Sequence, residues 1–317
     1  MNQNGMNDNN LNNTSFNNID LNDGNTDDSI INKYANDNRV SNEAAKRLQE
    51  KRDEVAKSMR FCIIGALFLL IPPVGIALIF FGYMRVSKAQ KEMKGLYKDA
   101  FVREPLANNF QNVVYQPSNG FNKETVRSFQ LCKMGNTFYS EDYIRANYQG
   151  VDFEVAQVNV SEVDHSDDKT YSKTYFEGRM MVFNFPDKIV SSVLVYSRKF
   201  KNRALREKDI KKEKVELEGT QFNKDFDVYS PVPHDVFYLI TPQLMERLQF
   251  LTGKYDSIAM DVVGNTVILA FNEPGKNPFD QDIAVGKLDY DKEINKVQAE
   301  IDDIKTFISM ILNLKVC

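Results

Sequence analysis

Hydrophobic positions along the chain fall into three regimes. They show almost no periodicity in 1–40, an unbroken apolar run at 61–84, and alternating or helical spacing from 86 onward. The run FCIIGALFLLIPPVGIALIFFGYM, Phe61–Met84, holds 24 residues and no charged side chain. One helix of that length is about 36 Å long, against a hydrocarbon core about 30 Å thick. The run therefore predicts a membrane anchor formed by Phe61, Ile64, Leu67, Leu70, Pro72, Pro73, Ile76, Ile79 and Phe80. Pro72 and Pro73 remove two backbone donors and clash with the preceding turn, so the run is either one kinked span or a hairpin that dips in and returns. Each half is only about 17 Å long, too short to cross alone. A hairpin also leaves turn carbonyls facing lipid, which favours the kinked span. The flanking charge points the other way. Six cations precede the run in 41–60 and six follow it in 85–104, giving no net bias for one span and the pattern of a hairpin with both ends in the cytoplasm.

The flanks sort by the same criterion. Residues 1–40 carry 14 Asn and 6 Asp, too little apolar surface to offset chain entropy, and predict a disordered tail. Residues 41–60, rich in Ala, Glu, Lys and Arg, predict a charged helix leading into the membrane. Residues 86–317 predict a soluble domain. It opens with a juxtamembrane helix ending near Pro105 and a short helix in NKETVRSFQLC. Runs rich in β-branched and aromatic residues predict strands at 143–149, 151–160, 174–185, 189–197, 214–219, 221–229, 256–262 and 266–271. In TPQLMERLQFLTG, Thr241 caps a helix, Leu244, Leu248 and Leu251 share one face, and Gly253 closes it. Strands and helices are segregated, so the fold class is α+β, a mainly antiparallel sheet with flanking helices. A last amphipathic helix, 289–314, carries Ile294, Val297, Ile301, Ile304, Ile308 and Ile311 in a 3-4 repeat. That stripe either packs on its own domain or forms a coiled coil with another copy or another membrane protein.

Charge and composition narrow the function classes. Over 317 residues the net charge is −4, which removes a chain-wide electrostatic case for nucleic acid. Cys62, Cys132 and Cys317 are an odd, scattered set that predicts no disulfide framework and a reducing compartment. No phosphate-binding loop, nucleophile elbow or zinc spacing occurs, and no metal, cofactor or catalytic residue is assigned. His165, among acids in VDHSDDK, reads as a solvated turn. An enzyme would have to assemble its site from scattered groups such as Glu154, Asp225 and Asp227 with His234. The strongest local charge feature is RKFKNRALREKDIKKEK, 198–214, with nine Lys or Arg against three acids. Beyond a solvated loop, its functional reading is contact with anionic headgroups through Arg198, Lys199, Lys201, Arg203, Arg206, Lys211 and Lys212. Nucleic acid is disfavoured because aromatic residues do not interleave the run.

Several stretches share the order of a known family: YKDAFVREPLANNFQNVVYQP, YSEDYIRANYQGVDFEVAQV, FEGRMMVFNFP, FNKDFDVYS with LITPQLMERL, and GNTVILAF. Over about 90–310 the chain resembles the bacterial family known as domain of unknown function 3137. The resemblance implies a membrane-proximal soluble domain preceded by a short apolar region often read as a helical pair. It carries no activity and no catalytic residues. The expected protein is a membrane-anchored, non-enzymatic binding or scaffold protein of the bacterial cell membrane with its soluble domain in the cytoplasm. The alternatives are a membrane-bound enzyme and a sensor of anionic lipid.

Overall fold

The computed structural model describes residues 43, 46–60, 63, 72–166, 169–204, 213–218, 220–281 and 289–313. The Asn-rich tail and residues 61, 62 and 64–71, with anchor positions Phe61, Ile64, Leu67 and Leu70, lie outside them. So do Arg206, Lys211 and Lys212 of the basic run.

Among the described residues nine strands form one sheet with the order β1-β2-β3-β4-β9-β8-β5-β7-β6. They are β1 (Gln111–Gln116), β2 (Thr137–Tyr148), β3 (Val151–Ser166), β4 (Lys169–Asn184), β5 (Val190–Ser197), β6 (Glu213–Val215), β7 (Phe226–Ser230), β8 (Ser257–Gly264) and β9 (Thr266–Asn272). Every neighbouring pair is antiparallel, so the α+β expectation holds. Strand β3 shows how the sheet serves two cores. Val151, Phe153 and Val155 face one cluster; Ala156, Val158 and Val160 face the other. Register against β4 is unbroken through Val155↔Met181 and Ala156↔Met180. The change of apolar phase is thus a change of buried face along one regular strand.

The first face is covered by most of the helices. Helix α1 (46–60) presents Leu48, Arg52, Val55 and Ser58 as one buried stripe. Helix α2 (Pro72–Tyr97) continues through a π turn, Lys98–Arg103, into α3 (Glu104–Asn109). Phe222 of α5 (Thr220–Asp225) lies on this face with α6 (Pro233–Leu239), α7 (Pro242–Lys254) and α8 (Tyr290–Asn313). The second face is covered by α4 (Lys123–Phe129) and by Phe121, Leu131 and Phe200. The predicted cap at Thr241 is in place, and a second is found at Asn122. The Thr241 hydroxyl accepts from the Leu244 N–H, and Asn122 accepts from the Thr125 N–H.

Several expectations are corrected. Pro72 and Pro73 are the first described residues of α2, and the expected kink of the apolar run falls at the edge of the described residues. Among the described residues no helix is long and apolar enough to cross a membrane. Pro105 stands in the first turn of α3 and does not end the helical path that precedes it. The expected strand at 221–229 is half helix, because Asn223 bonds the Leu217 backbone through both its amide atoms and Phe222 stacks on Phe226 at 4.6 Å. The strand expected at 214–219 is only Glu213–Val215. Strand β1 was not anticipated. Gly253 lies inside α7, which runs to Lys254. The α8 stripe, Val297, Ile301, Ile304, Ile308 and Ile311, is buried in the chain's own first core. That burial, worth about 1.5–3 kcal/mol per side chain, leaves no apolar seam for a coiled coil.

Candidate functional site

Two buried charge networks stand at the walls of one cleft of about 1010 Å³. Its sides come from Tyr139 and Glu141 of β2, Gln157 and Asn159 of β3, and Glu177 of β4. The loop Glu273–Gln281 after β9 closes one side, and Lys254, Lys296 and Glu300 of α7 and α8 close the other.

The first network joins the cleft to the helix that leaves the predicted membrane segment. Strand β2 carries an irregularity between Glu141 and Ile144, with Asp142 at φ 58. A bulge of this kind re-aims side chains. Asp142 is 0% exposed and takes the Lys98 ammonium on both carboxylate oxygens at 2.5 Å. Tyr115 Oη donates to it at 2.7 Å and Asn277 Nδ2 at 2.9 Å. Lys98, in the π turn and 1% exposed, also pairs with Asp280 at 2.8 Å. One turn earlier, Lys94 reaches Asp280 and Glu141, each at 3.3 Å. Burial pushes the Asp142 carboxyl above the ordinary carboxylate range, opposed by Lys98. Burial would raise Asp280 as well, but hydrogen bonds and charge from Lys98 and Lys94 outweigh it and hold Asp280 low. The carboxylate oxygens of Glu141, Asp142 and Asp280 lie within 4.8 Å of one another. The Lys94 and Lys98 ammonium groups stand at these three carboxylates, and no metal is assigned.

The second network sits behind the opposite wall. Arg179 of β4, fully buried, pairs with Glu273 and Glu300, each at 2.9 Å, and lies 5.1 Å from the Tyr255 ring centre. Tyr255 Oη donates to Glu300 and Asp303. Lys254 and Arg247 both meet Asp303 at 2.5 Å.

The sequence-predicted candidates fall elsewhere. Glu154 on β3 meets Tyr143 of β2. Asp227 on β7 gathers Arg203 at 2.9 Å, Lys214 at 2.9 Å and Arg198 at 3.5 Å. Strands β3 and β7 are five places apart in the sheet order, roughly 24 Å at about 4.8 Å per strand. Asp225 accepts from Gln221. His234 sits in the first turn of α6, not in a strand, and its neighbour Asp235 accepts from the Ser191 N–H. The four groups proposed for an enzyme are therefore not one site. Within the basic run, Lys199 and Lys201 are exposed, while Arg203 turns inward to Asp227 and the Ser197 and Phe200 carbonyls. Burial pushes the Cys132 thiol up to about 12, which removes it as a nucleophile. The cleft residues escaped sequence reading because no spacing links them. The one local signal was the Lys94–Lys98 pair at helical spacing, which resembles any solvated face.

Fold and cleft together define an antiparallel α+β domain with a cleft whose walls carry charged side chains of both signs. Residues 174–316 match the family described as "Protein of unknown function (DUF3137)". The matched stretch runs from within β4 to the end of α8, in line with the resemblance, and it holds Arg179, Glu273, Asp280 and Glu300. No curated protein matches the chain. A solved structure, "crystal structure of the mycobacterial trehalose monomycolate transport factor A, TtfA", is similar with a TM-score of 0.32 and 12% identity, over 67% of this chain and 94% of that one.

Proposed function

We propose that the protein is a membrane-anchored, non-enzymatic binding protein whose cleft-bearing domain is held at the bilayer surface by Phe61–Met84. The observation that carries this reading is the described end of that segment. On α2, Phe80, Phe81, Tyr83 and Met84 are 64%, 61%, 66% and 55% exposed. Moving such side chains from water into hydrocarbon contributes about 1.5–3 kcal/mol each. Arg85, Lys88 and Lys91 follow at once, all exposed, at the level where anionic headgroups attract cations. Lys199 and Lys201 are further candidates for headgroup contact.

The position of α1 favours the hairpin over the single span. Lys51 of α1 pairs with Glu92 of α2 at 2.6 Å, so the chain before the apolar run meets the chain after it. Both flanks then leave the membrane on one side, in accord with cations at both ends. The bacterial cytoplasmic face is the side proposed, from the unpaired cysteines and the positive flanks.

Two measurements test this. Full-length protein should stay with carbonate-washed membranes; a monodisperse chain in the supernatant would refute the anchor. A cysteine at Glu43 and the native Cys317 should react with an impermeant thiol reagent from the same face of sealed vesicles. Labelling from opposite faces would refute the hairpin and restore the span.

A further inference from the structure

We propose that the cleft takes a small organic monocation, an ammonium group on an apolar body, held between the Glu177 carboxylate and the Tyr139 ring. This rests on the reading of the domain as a binding module and names the class of molecule bound.

The floor of the cleft is one rung of the sheet. Tyr139 of β2 stands directly opposite Asn159 of β3, and Asn159 directly opposite Glu177 of β4. Asn159 is in phase with Val151, Phe153 and Val155, so the rung continues the sheet face that carries the first core. Tyr139 is 59% exposed, and Asn159 and Glu177 are half-buried, which leaves the rung open to an incoming molecule. Neighbouring strands lie about 4.8 Å apart, so ring and carboxylate arise about 10 Å from each other with Asn159 between them. Glu177 is fixed in place. Its backbone N–H donates to Asn272 Oδ1 at 3.0 Å, its carbonyl accepts from the Glu273 N–H at 2.8 Å, and its Oε1 accepts from the Gly275 N–H at 2.9 Å. Its Oε2 meets no donor among the described residues. Tyr139 is steadied from the other side, its hydroxyl donating to Glu141 at 3.0 Å.

Charge selects a cation. Five carboxylates line the cleft, Glu141, Glu177, Glu273, Asp280 and Glu300, against three ammonium groups, Lys254, Lys276 and Lys296. Counted once each across the lining and both buried networks, with Glu293 beside Lys296, there are eight carboxylates and seven cations. Glu177 is the one of the eight that meets no cation among the described residues. The lining ammonium groups are already committed, Lys254 to Asp303 and Glu300, Lys276 to Glu273, and Lys296 to Glu293. An anion would have to take one of them from its partner and leave a carboxylate unpaired, whereas a monocation meets a carboxylate that has none. A bare divalent ion such as calcium asks for about six to eight oxygens, and Glu177 is not among the carboxylates grouped closely enough to share one. The ring then favours an organic cation. An ammonium within about 6 Å of an aromatic ring centre is drawn to its face, and methyl or methylene groups beside the charge pack on the same ring.

The test uses full-length protein in a polyoxyethylene detergent, which carries no charge. Saturation-transfer NMR is recorded with choline, ethanolamine and phenethylamine, with neohexanol as the uncharged isostere of choline, and with calcium chloride and inorganic phosphate as competitors. At least one amine should give a signal that neither competitor displaces, and neohexanol should give none. The affinity of that amine should fall about five- to tenfold in Glu177→Gln and about threefold in Tyr139→Leu. Glu177→Gln keeps an acceptor for the Gly275 N–H and breaks no ion pair, so it should melt as the wild type does, which separates lost binding from lost folding. Glycerophosphocholine or glycerophosphoethanolamine binding more tightly than its free amine assigns a lipid headgroup; the reverse order assigns a free solute. Silence from every amine, an equal signal from neohexanol, displacement by calcium or phosphate, or binding unchanged in Glu177→Gln or in Tyr139→Leu overturns the proposal. Membrane sedimentation of the same variants is read separately, so failure of the cleft and failure of the anchor are distinguishable.

Discussion

Replacing Lys98 by Met exposes the energetics of the junction between α2 and the domain. The side chain keeps its length and loses its charge, so packing in the π turn is conserved. Asp142 is left with the Tyr115 hydroxyl at 2.7 Å and the Asn277 amide at 2.9 Å as its side-chain donors, with no cation in contact and no exposure to water. Removing one partner of a buried pair costs about 3–5 kcal/mol. For a domain of this size each kcal/mol is worth about 2–4 °C, so the melting temperature should fall roughly 6–20 °C. The sign of the pH dependence is fixed by the carboxyl. Burial already raises Asp142, and loss of Lys98 raises it further. A folded-state pKa above the unfolded value of about 3.9 adds stability as pH falls, so the deficit of Lys98→Met should shrink between pH 7 and 5. Adding Asp142→Asn should recover at least half of the loss, because the charge that lacked a partner is gone and Asn tolerates the positive φ. Urea melts followed by circular dichroism, at several pH values, measure all three. A loss below about 1 kcal/mol, a deficit independent of pH, or a double variant no better than the single would refute the account.

Two further perturbations follow from other parts of the sheet and its helices. At Asp227, burial alone would raise the carboxyl, but Lys214 and Arg203 outweigh it and hold it below the ordinary range. A depressed folded pKa contributes stability that is present above about pH 4 and lost as pH falls toward the folded value. Asp227→Asn should therefore cost about 1.5–3 kcal/mol at pH 7 and flatten the acid limb of the stability curve, which guanidinium titrations from pH 7 to 2 would show. In α8, Ile304→Ala should cost about 2–5 kcal/mol while crosslinking in membranes stays the same as wild type. A changed oligomeric state with unchanged stability would return the helix to the coiled-coil reading.

Legibility in the sequence tracked how local the physics is. Helix α7 was readable because Thr241, Pro242 and a leucine stripe all signal within a dozen positions. Helix α8 was readable as amphipathic, but the stripe alone did not say whether its partner was this chain or another. Strand β3 was readable as a strand, though its apolar phase shifts from odd to even positions as it passes from one core to the other. Strand β1, QNVVYQ, was hidden by polar ends at the sheet edge. The cleft was hidden more deeply. Asp142 lies 44 positions from Lys98 and 135 from Asn277, and only the bulge in β2 and the π turn bring them together.

That junction also sets where the cleft stands relative to the proposed bilayer. Lys94 and Lys98 hold Asp280 directly, and Lys98 holds Asn277 through Asp142; Asp280 and Asn277 are cleft wall. Phe81, on the exposed apolar end, is on the same unbroken helix as Lys94. Thirteen residues of α-helix span about 20 Å. The connection from proposed membrane segment to cleft wall is therefore a rigid rod fastened by buried ion pairs, not a flexible linker, and α1 braces it through Lys51 and Glu92.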